Sequence, residues 1–280
     1  MITSAEEESL ARHAYVPEHL PGYGRAFSGG EPFLLEEYLC YYREGTLIFI
    51  GYPLRAGREE GDLGAFLAEA IKRFQPSRVA LMTPSWSESR GERKPSDHYY
   101  RLELSSPQVP SKIKNMIHRA GRELKIEKGR EFKADHQKLI DDFLESREVE
   151  EGTRIIFKRI ADYLSSVPTA LIFEARDSRG CLAGFDVADF GAEDYAFYLF
   201  NFQARPSPVP GTSDLLLHAL IREAQERGKS YLSLGLGIND GVAFFKKKWG
   251  GRPFLRHQAV FFSPSRPSFW QSIFEGMLRR

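Results

Sequence analysis

The chain has 280 residues, of which 42% are apolar and 28% are Asp, Glu, Lys or Arg, and its formal net charge is +1. This composition excludes collagen-like and wholly disordered classes, and the charge gives no overall attraction to DNA or to membranes. The two cysteines, Cys40 and Cys181, fit neither a disulfide framework nor a paired-cysteine metal motif. We expect a cytoplasmic protein without a transmembrane segment, because the acidic N-terminus is unlike a signal peptide and no apolar run reaches about 18 residues.

The N-terminal third is expected to hold an arm, a hairpin and a helix. Residues 1–30 combine acidic residues with prolines and four glycines, which predicts a loose arm with one short helix at its start. Aromatic and β-branched residues flank the turn signal Glu44-Gly45, so a two-stranded hairpin is expected there. Apolar residues at helical spacing predict a helix over Asp62–Phe74, followed by a short buried strand, Arg78–Met82. The segment Trp86–Asp97 is expected to be an exposed loop.

This strand, helix, strand order recurs later in the chain. An offset of 152 positions takes Leu47 to Leu199 and Val79 to Tyr231. Few residues are identical, but the shared order and spacing are consistent with a diverged internal duplication. In the first copy Glu59 and Glu60 precede the helix and would repel a pyrophosphate, so this copy is expected to be catalytically silent.

The C-terminal part gives a longer series of elements. After an amphipathic helix at Ser111–Leu124, the pattern predicts a strand, two helices, three antiparallel strands, a helix, a strand, a helix and a strand. The expected elements with defined bounds are Leu124–Glu127, His136–Ser146, Gly152–Ser165, Ala170–Ala175, Cys181–Phe190, Tyr195–Ala204, Leu215–Arg227 and Tyr231–Leu236.

That order resembles the GNAT acyltransferase fold over roughly Leu124–Phe262. The sequences that carry the resemblance are NFQARPSPVPGTSDLLLHALIREAQERGKSYLSLGLGIND and GVAFFKKKWGG, and the second resembles the FemAB-type and lipid-lysyltransferase branches. With the weaker unit at Glu37–Met82, the whole chain resembles a twin-GNAT protein of the FemAB kind. The resemblance implies an α/β (α+β) fold of two GNAT-like halves, each a mixed, mostly antiparallel sheet flanked by helices. The expected organisation is an arm at 1–30, an abbreviated half at 31–111 and a complete acyltransferase domain at 112–280.

The resemblance implies an N-acyltransferase. Its donor would be acyl-CoA or aminoacyl-tRNA, bound as a co-substrate rather than as a tight cofactor, and its acceptor an amine on a small molecule, peptide or lipid. The alternative is a non-catalytic binding or structural protein with the same fold. Family-like donor contacts would come from Gln203, Ala204 and Asn239, although Asn239 can equally be an ordinary helix N-cap.

The start of the helix that follows Pro210 is a candidate donor site. Free N–H groups and the helix dipole favour an anion there, which points to Gly211, Thr212 and Ser213 as contacts for a pyrophosphate. Gly211 would let a ligand approach the backbone. The competing interpretation is an ordinary capped helix after a stiff proline loop.

Two residues are candidates for catalysis. Asp186 lies in mid-strand among apolar residues and is the preferred general base, while a structural hydrogen bond is the alternative. The resemblance assigns Lys246 to the donor phosphate or to developing negative charge, against the alternative of a solvated helix face. Many GNAT enzymes keep a tyrosine acid where this chain has Phe244 or Phe245. Because phenylalanine cannot donate a proton, two alternatives remain. Another group protonates the thiolate that leaves acyl-CoA, or the donor is an aminoacyl ester and the leaving group is an alkoxide.

One basic stretch stands out. Between Lys112 and Lys133 there are eight Lys or Arg residues against three Glu, a local charge of +5. This stretch could contact tRNA phosphates or an anionic headgroup, or it could be a solvated helix face. The histidines show no metal-ligand spacing, so no metal site is expected. Motifs of hydrolases, phosphate loops and dinucleotide-binding folds are not found in the sequence.

Overall fold

A computed structural model describes residues 2–54, 61–87, 91–105, 109–205 and 209–264. The helices in these ranges are α1 (Ser4–His13), α2 (Pro21–Ser28), α3 (Gly61–Phe74), α4 (Ser111–Ala120), α5 (Ala134–Glu145), α6 (Glu151–Lys158), α7 (Ile160–Ser166), α8 (Thr212–Glu226) and α9 (Asp240–Lys248). The strands are β1 (Glu31–Leu35), β2 (Tyr38–Arg43), β3 (Thr46–Ile50), β4 (Arg78–Thr83), β5 (Glu92–Arg93), β6 (Asp97–Glu103), β7 (Leu124–Gly129), β8 (Ala170–Asp177), β9 (Leu182–Asp189), β10 (Tyr195–Gln203), β11 (Tyr231–Leu236) and β12 (Arg252–Phe262).

The short helix expected at the start of the chain is confirmed as α1, but the segment also contains α2 and is packed on the sheet, so the expectation of a loose arm is wrong. The helix α1 begins with a capping box in which Thr3 and Glu6 satisfy each other's backbone N–H groups. Leu10 and Val16 are fully buried in a cluster with Leu39 of β2. Polar and glycine-rich composition therefore concealed a few apolar anchors that hold the segment on the sheet.

The described strands form one sheet in the order β1-β2-β3-β4-β12-β6-β11-β10-β9-β8-β7, with β5 paired to β12. The expected hairpin is confirmed: β2 and β3 are antiparallel, and Glu44 and Gly45 both have positive φ, 47° and 77°. Such angles belong to the turn whose twist matches a hairpin. Trp86–Asp97 is not simply an exposed loop, because it contains β5 and Trp86 is buried.

Two parallel pairs, β3 with β4 and β10 with β11, are each joined through a helix, α3 and α8. This arrangement agrees with the repeated order inferred from the sequence. The registers differ, because Leu47 pairs with Val79 whereas Tyr231 pairs with Tyr195 and not with Leu199. Glu59 and Glu60, on which the expected silence of the first copy depends, lie outside the described residues.

The two expected halves share strands. By sequence β6 belongs to the half 31–111, yet it pairs with β11 in the other half. The long strand β12 pairs through Arg252–His257 with β6 and through Gln258–Phe262 with β4. Sheet pairing therefore crosses the expected boundary after residue 111 in both directions, and the domain limits stay a prediction.

From β7 onward the predicted order of elements is confirmed, with one difference. The helix expected over Gly152–Ser165 is two helices, because Arg159 leaves the helical conformation (φ −96°, ψ 3°) between α6 and α7. Its Nη1 donates a hydrogen bond of 2.7 Å to the carbonyl oxygen of Phe27 at the end of α2. Around β7–β11 the sheet is covered on one face mainly by α4 and α8 and on the other by α5, α6 and α7, whereas α3 packs against β2–β4.

Candidate active site

The parallel strands β10 and β11 separate part-way along their length. They pair only over Tyr195–Phe197 and Tyr231–Ser233, although they extend to Gln203 and Leu236. A register shift against β9 follows Tyr198 in β10, and another against β6 precedes Gly235 in β11. Bulges of this kind bend a strand and re-aim its side chains. The result is an opening between the two strands.

The amine of Lys246 lies at this opening. Lys246 is 4% exposed, and its Nζ donates a hydrogen bond to the carbonyl oxygen of Leu236. A Cβ added to Gly235 would lie 3.7 Å from this Nζ and 3.7 Å from the carbonyl oxygen of Tyr198. Burial lowers the pKa of Lys246 to about 8, while the nearby carboxylate of Asp97 acts in the opposite direction.

Asp186 is a buried carboxylate at the centre of β9. It is fully buried and lies directly opposite Asn201 of β10, whose Nδ2 donates a hydrogen bond of 2.6 Å to its Oδ1. Its Oδ2 has no hydrogen-bond partner among the described residues. Burial raises the pKa of Asp186 to about 8, and the bond from Asn201 lowers it in part. Asp189 faces the opposite side, as the strand periodicity predicted, and accepts from Tyr163 and Thr169.

A chain of polar side chains runs from Asp186 to the start of α8. Ser213 donates from Oγ to Oδ1 of Asn201 over 3.1 Å, and Gln203 donates from Nε2 to Ser213. We call Asp186, Asn201, Ser213 and Gln203 the polar chain. The bulge after Tyr198 explains it, since Asn201 and Gln203 face α8 while the phenylalanines between and beside them pack on the other side. Asn201 was missed by sequence reasoning, although a polar residue in an apolar strand was the available signal.

The glycine at the start of α8 serves packing. Gly211 has φ of 94°, and a Cβ there would lie 2.8 Å from the carbonyl oxygen of Met116 in α4. The expected close approach is therefore made by protein backbone. Thr212 is buried, and its Oγ1 donates to the carbonyl oxygen of Val209 over 2.7 Å.

Ala204 and Asn239, the two remaining residues expected to contact the acyl donor, form hydrogen bonds within the protein. Ala204 donates its N–H to the carbonyl oxygen of Ala183 over 3.0 Å at the end of β10. Asn239 is the N-cap of α9, with its Oδ1 accepting from the N–H of Val242 over 3.0 Å. Asn239 therefore has the helix N-cap role that the sequence allowed as the alternative to contact with the acyl donor.

Asp97 is a further polar residue of this region that sequence reasoning missed. Its Oδ2 accepts a 2.7 Å hydrogen bond from the N–H of Ile238. Ile238 has φ of 60° and is 76% exposed, a strained conformation for a β-branched residue. Asp97 thus holds the segment that leads from β11 into α9, the helix that carries Lys246.

A buried ion pair joins α8 to α9. The carboxylate of Asp214, 7% exposed, lies 2.7 Å from Nζ of Lys248, and Trp249 donates to it from Nε1 over 2.9 Å. Of the three consecutive lysines, Lys246 points inward, Lys248 meets Asp214 and Lys247 is exposed. Phe244 is 69% exposed, and a phenylalanine has no hydroxyl group that could donate a proton.

Three residues of the basic stretch Lys112–Lys133 have partners elsewhere in the protein. Lys128 lies 2.5 Å from Glu223, Lys133 lies 3.5 Å from Glu174, and Arg130 donates to the carbonyl oxygen of Leu164 over 3.0 Å. Its exposed residues on or just after α4 are Lys112, Lys114, Arg119 and Arg122. The local charge of +5 is therefore not presented as one free surface.

The described ranges contain neither a candidate metal site nor a helix that could span a membrane. No group of three or more His, Cys, Asp or Glu side chains there could hold a metal ion. A search of those residues for a membrane-spanning helix also finds none.

Comparison with known proteins relates this fold to solved structures. No protein-family model and no curated protein match the chain. The C-terminal domain of a protein assigned as a lysylphosphatidylglycerol synthetase from Agrobacterium fabrum is 13% identical, with a TM-score of 0.61 and 92% of each chain covered. FemX is 9% identical, with a TM-score of 0.62, and the match covers 100% of this chain and 99% of FemX.

A tandem GNAT protein from the clavulanic acid biosynthesis pathway is 14% identical, with a TM-score of 0.50, and the match covers 81% of this chain and 79% of that one. The GNAT-like, mixed α/β fold of the FemAB and lipid-lysyltransferase type, which the sequence resemblance implied, is confirmed. At these identities the likeness is one of fold.

Proposed function

We propose that this protein is an acyltransferase that moves an aminoacyl or acyl group to an amine in the opening between β10 and β11. The observation that carries the proposal is the buried amine of Lys246 at that opening, close to Gly235 of β11 and bonded to the carbonyl oxygen of Leu236. A fixed ammonium group in a site of low dielectric stabilises negative charge far better than one in water. The fold shared with a lysylphosphatidylglycerol synthetase domain supports this class of reaction.

The two buried ionisable groups have complementary roles in such a transfer. The acceptor amine attacks the acyl carbon, its C–N bond forms, and it loses a proton. Asp186 takes that proton, directly or through a water molecule, with its unpartnered Oδ2. Lys246 donates a hydrogen bond to the oxyanion and then a proton to the leaving oxygen or sulfur as the donor's bond breaks.

Packing at the start of α8 favours an aminoacyl ester over acyl-CoA as the donor. A pyrophosphate in a GNAT-like site would need the N–H groups at Gly211–Ser213. The carbonyl oxygen of Met116 lies against Gly211, and the hydroxyl of Ser213 is bonded to Gln203 and Asn201. The Met116 carbonyl oxygen carries partial negative charge, and the Ser213 hydroxyl is already hydrogen-bonded. Both features disfavour binding of a pyrophosphate at the start of α8.

The test offers the purified chain two donors, a set of charged tRNAs and acetyl-CoA, with lysine and phosphatidylglycerol vesicles as acceptors. Mass spectrometry follows the acylated acceptor, and loss of the aminoacyl or acetyl group from the donor is measured in parallel. Lys246→Met should lower the rate at least about a hundredfold, as loss of one oxyanion donor does. Lys247→Met, on the exposed neighbour, is the matched control.

A second candidate function is a binding protein that has lost catalysis. The exposed Phe244 and the N-cap role of Asn239 favour it, because neither side chain is arranged for proton transfer or donor contact. Saturable binding of either donor without turnover, unaffected by Lys246→Met, would identify this function and reject the transferase.

A further inference from the structure

A second concave region shares no residue with the candidate active site. It is a cavity of about 490 Å³ between the strands β2 to β4, the end of α2 and the helix α6. Its polar lining comprises Ser28, Arg43, Glu44, Thr46, Arg78 and Arg159. Three guanidinium groups therefore line one cavity, against a single carboxylate.

Sheet register places two of the arginines in one row. Arg43 of β2 lies directly opposite Thr46 of β3, and Thr46 lies directly opposite Arg78 of β4. Side chains at directly opposite positions share a face of the sheet, and neighbouring strands are about 4.8 Å apart. The two arginines thus stand about 10 Å apart on either side of a hydroxyl, a distance their long side chains can close around a small anion.

The third arginine comes from a separate wall. Arg159 lies at the break between α6 and α7, and its bond to Phe27 uses one of its five N–H donors. The break in the helix, which no sequence pattern predicted, therefore coincides with this wall of the cavity.

The charges in this cavity are incompletely balanced. Glu44 lies 3.3 Å from Arg43, but both side chains are exposed, at 80% and 49%, and such pairs contribute little. The side chain of Arg78 makes no hydrogen bond or ion pair with any residue in the described ranges, and only its backbone N–H is bonded, to the carbonyl oxygen of Gly45 over 3.1 Å. Arg43 and Arg78 are exposed, so solvent screens part of their charge, but three guanidinium groups against one carboxylate still give the cavity a positive potential that attracts an anion.

We propose that this cavity, the arginine pocket, binds the phosphate group of a small molecule. Arginine forks bind phosphate oxygens in pairs, with more geometric specificity than lysine provides. The volume lies in the usual range for small-ligand sites, about 300–1,000 Å³. Thr46 on the sheet contributes a hydroxyl group to the lining, as does Ser28 at the end of α2, whose hydroxyl also donates to the carbonyl oxygen of Gly24. This site is independent of the reaction proposed for the opening between β10 and β11.

The test is calorimetric titration of the full chain with inorganic phosphate, pyrophosphate and AMP at low ionic strength, with acetate as the monoanionic comparison. We expect saturable binding of a phosphate compound with one site per chain, and no saturation by acetate. Equal affinity for phosphate and AMP assigns recognition to the phosphate alone, whereas tighter binding of AMP shows that the remaining volume is used as well.

Arg78→Gln should weaken that binding at least about tenfold, and its thermal unfolding should match the wild type because the Arg78 side chain has no partner among the described residues. The matched control is Arg154→Gln, because Arg154 precedes the lining residue Ile155 in α6 but does not itself line the cavity and pairs with Glu151 at 3.9 Å. Equal weakening by both variants, no saturable binding, or binding of RNA without binding of any small phosphate compound would overturn the proposal.

Discussion

Asn201 donates a 2.6 Å hydrogen bond to Asp186 on the neighbouring strand, while the second oxygen of the same carboxylate has no partner among the described residues. Because Ser213 donates in turn to Asn201, the amide cannot rotate without losing a bond. Asp186 is thereby held in one orientation. A buried carboxylate with one oxygen unsatisfied favours its protonated form. Ionisation of Asp186 at alkaline pH therefore lowers the free energy of unfolding, and the ionised group readily accepts a proton.

Replacing Asp186 with Asn should remove a pH dependence of stability. The folded state raises the pKa of Asp186 from 3.8 to about 8, so the unfolded chain releases this proton at lower pH than the folded chain does. Wild-type stability from this group is complete below about pH 4 and falls as pH rises towards about 8, with a slope of up to about 1.4 kcal/mol per pH unit. Urea unfolding between pH 5 and 8 measures the free energy of unfolding.

The control for this measurement is Asp142→Asn, an exposed carboxylate with the same chemical change. It should keep the wild-type slope. If Asp186→Asn keeps that slope too, the carboxylate of Asp186 is not desolvated in the folded chain and the assignment of an unpartnered oxygen is wrong.

Lys246→Met should alter stability in a different window. The folded state lowers the pKa of Lys246 from 10.5 to about 8, so the folded chain releases this proton first as pH rises. Wild-type stability should therefore gain a contribution between about pH 8 and 10.5 that the variant lacks. Lys247→Met, which changes an exposed lysine, should behave as the wild type, and identical curves for the two variants would contradict the burial of Lys246.

Transfer activity should have a narrow pH optimum. Proton uptake requires ionised Asp186, above about pH 8, whereas oxyanion stabilisation requires protonated Lys246, below about pH 8. We expect kcat/KM to be bell-shaped with a maximum near pH 8. In Lys246→Met, kcat/KM should be much lower at every pH and should no longer fall on the alkaline side of the profile. A rate that is constant from pH 6 to 10 would show that neither group takes part.

Gly211→Ala tests the contact between α8 and α4. Both the positive φ of 94° and the 2.8 Å approach of the Met116 carbonyl oxygen oppose a side chain. Gly228 is the matched control, because it has φ of 70° and nothing within 4 Å of an added Cβ. Gly228→Ala should cost about 1 kcal/mol for the left-handed backbone, and Gly211→Ala about 1–3 kcal/mol more for overpacking, both read by urea unfolding. Equal costs would show that the two helices separate readily.

Much of the fold could be predicted because its elements carry strong local patterns. The strand Tyr231–Leu236 was expected with the bounds that the structure shows, since charged residues precede it and glycines lie at its end. The burial of Asp186 also followed from its apolar neighbours. The prediction that Asp186 and Asp189 face opposite sides of the sheet needed only the two-residue period of a strand.

The features that were not predicted are mostly local irregularities and long-range contacts, which have little effect on the sequence pattern. The bulge after Tyr198 reverses the face of every later residue in β10, so a regular period assigns Asn201 to the wrong side. The strand β6 is an exception, because buried Tyr100, Leu102 and Leu104 alternate with Arg101 and Glu103, a two-residue period that sequence reasoning overlooked. The break at Arg159 depends on a distant carbonyl group in α2, which local pattern does not reveal.

Val260 of β12 pairs with Leu81 of β4, although most of the chain lies between them. Ribosomes add about 5–20 residues per second, so β4 emerges roughly ten to thirty seconds before its partner exists. During that interval one edge of β4 has no strand beside it, and open edges recruit other chains. Pairings between distant residues also form slowly. Newly made chains of this protein are therefore exposed to aggregation until β12 arrives, which makes its yield in cells dependent on chaperone supply and on the rate of translation.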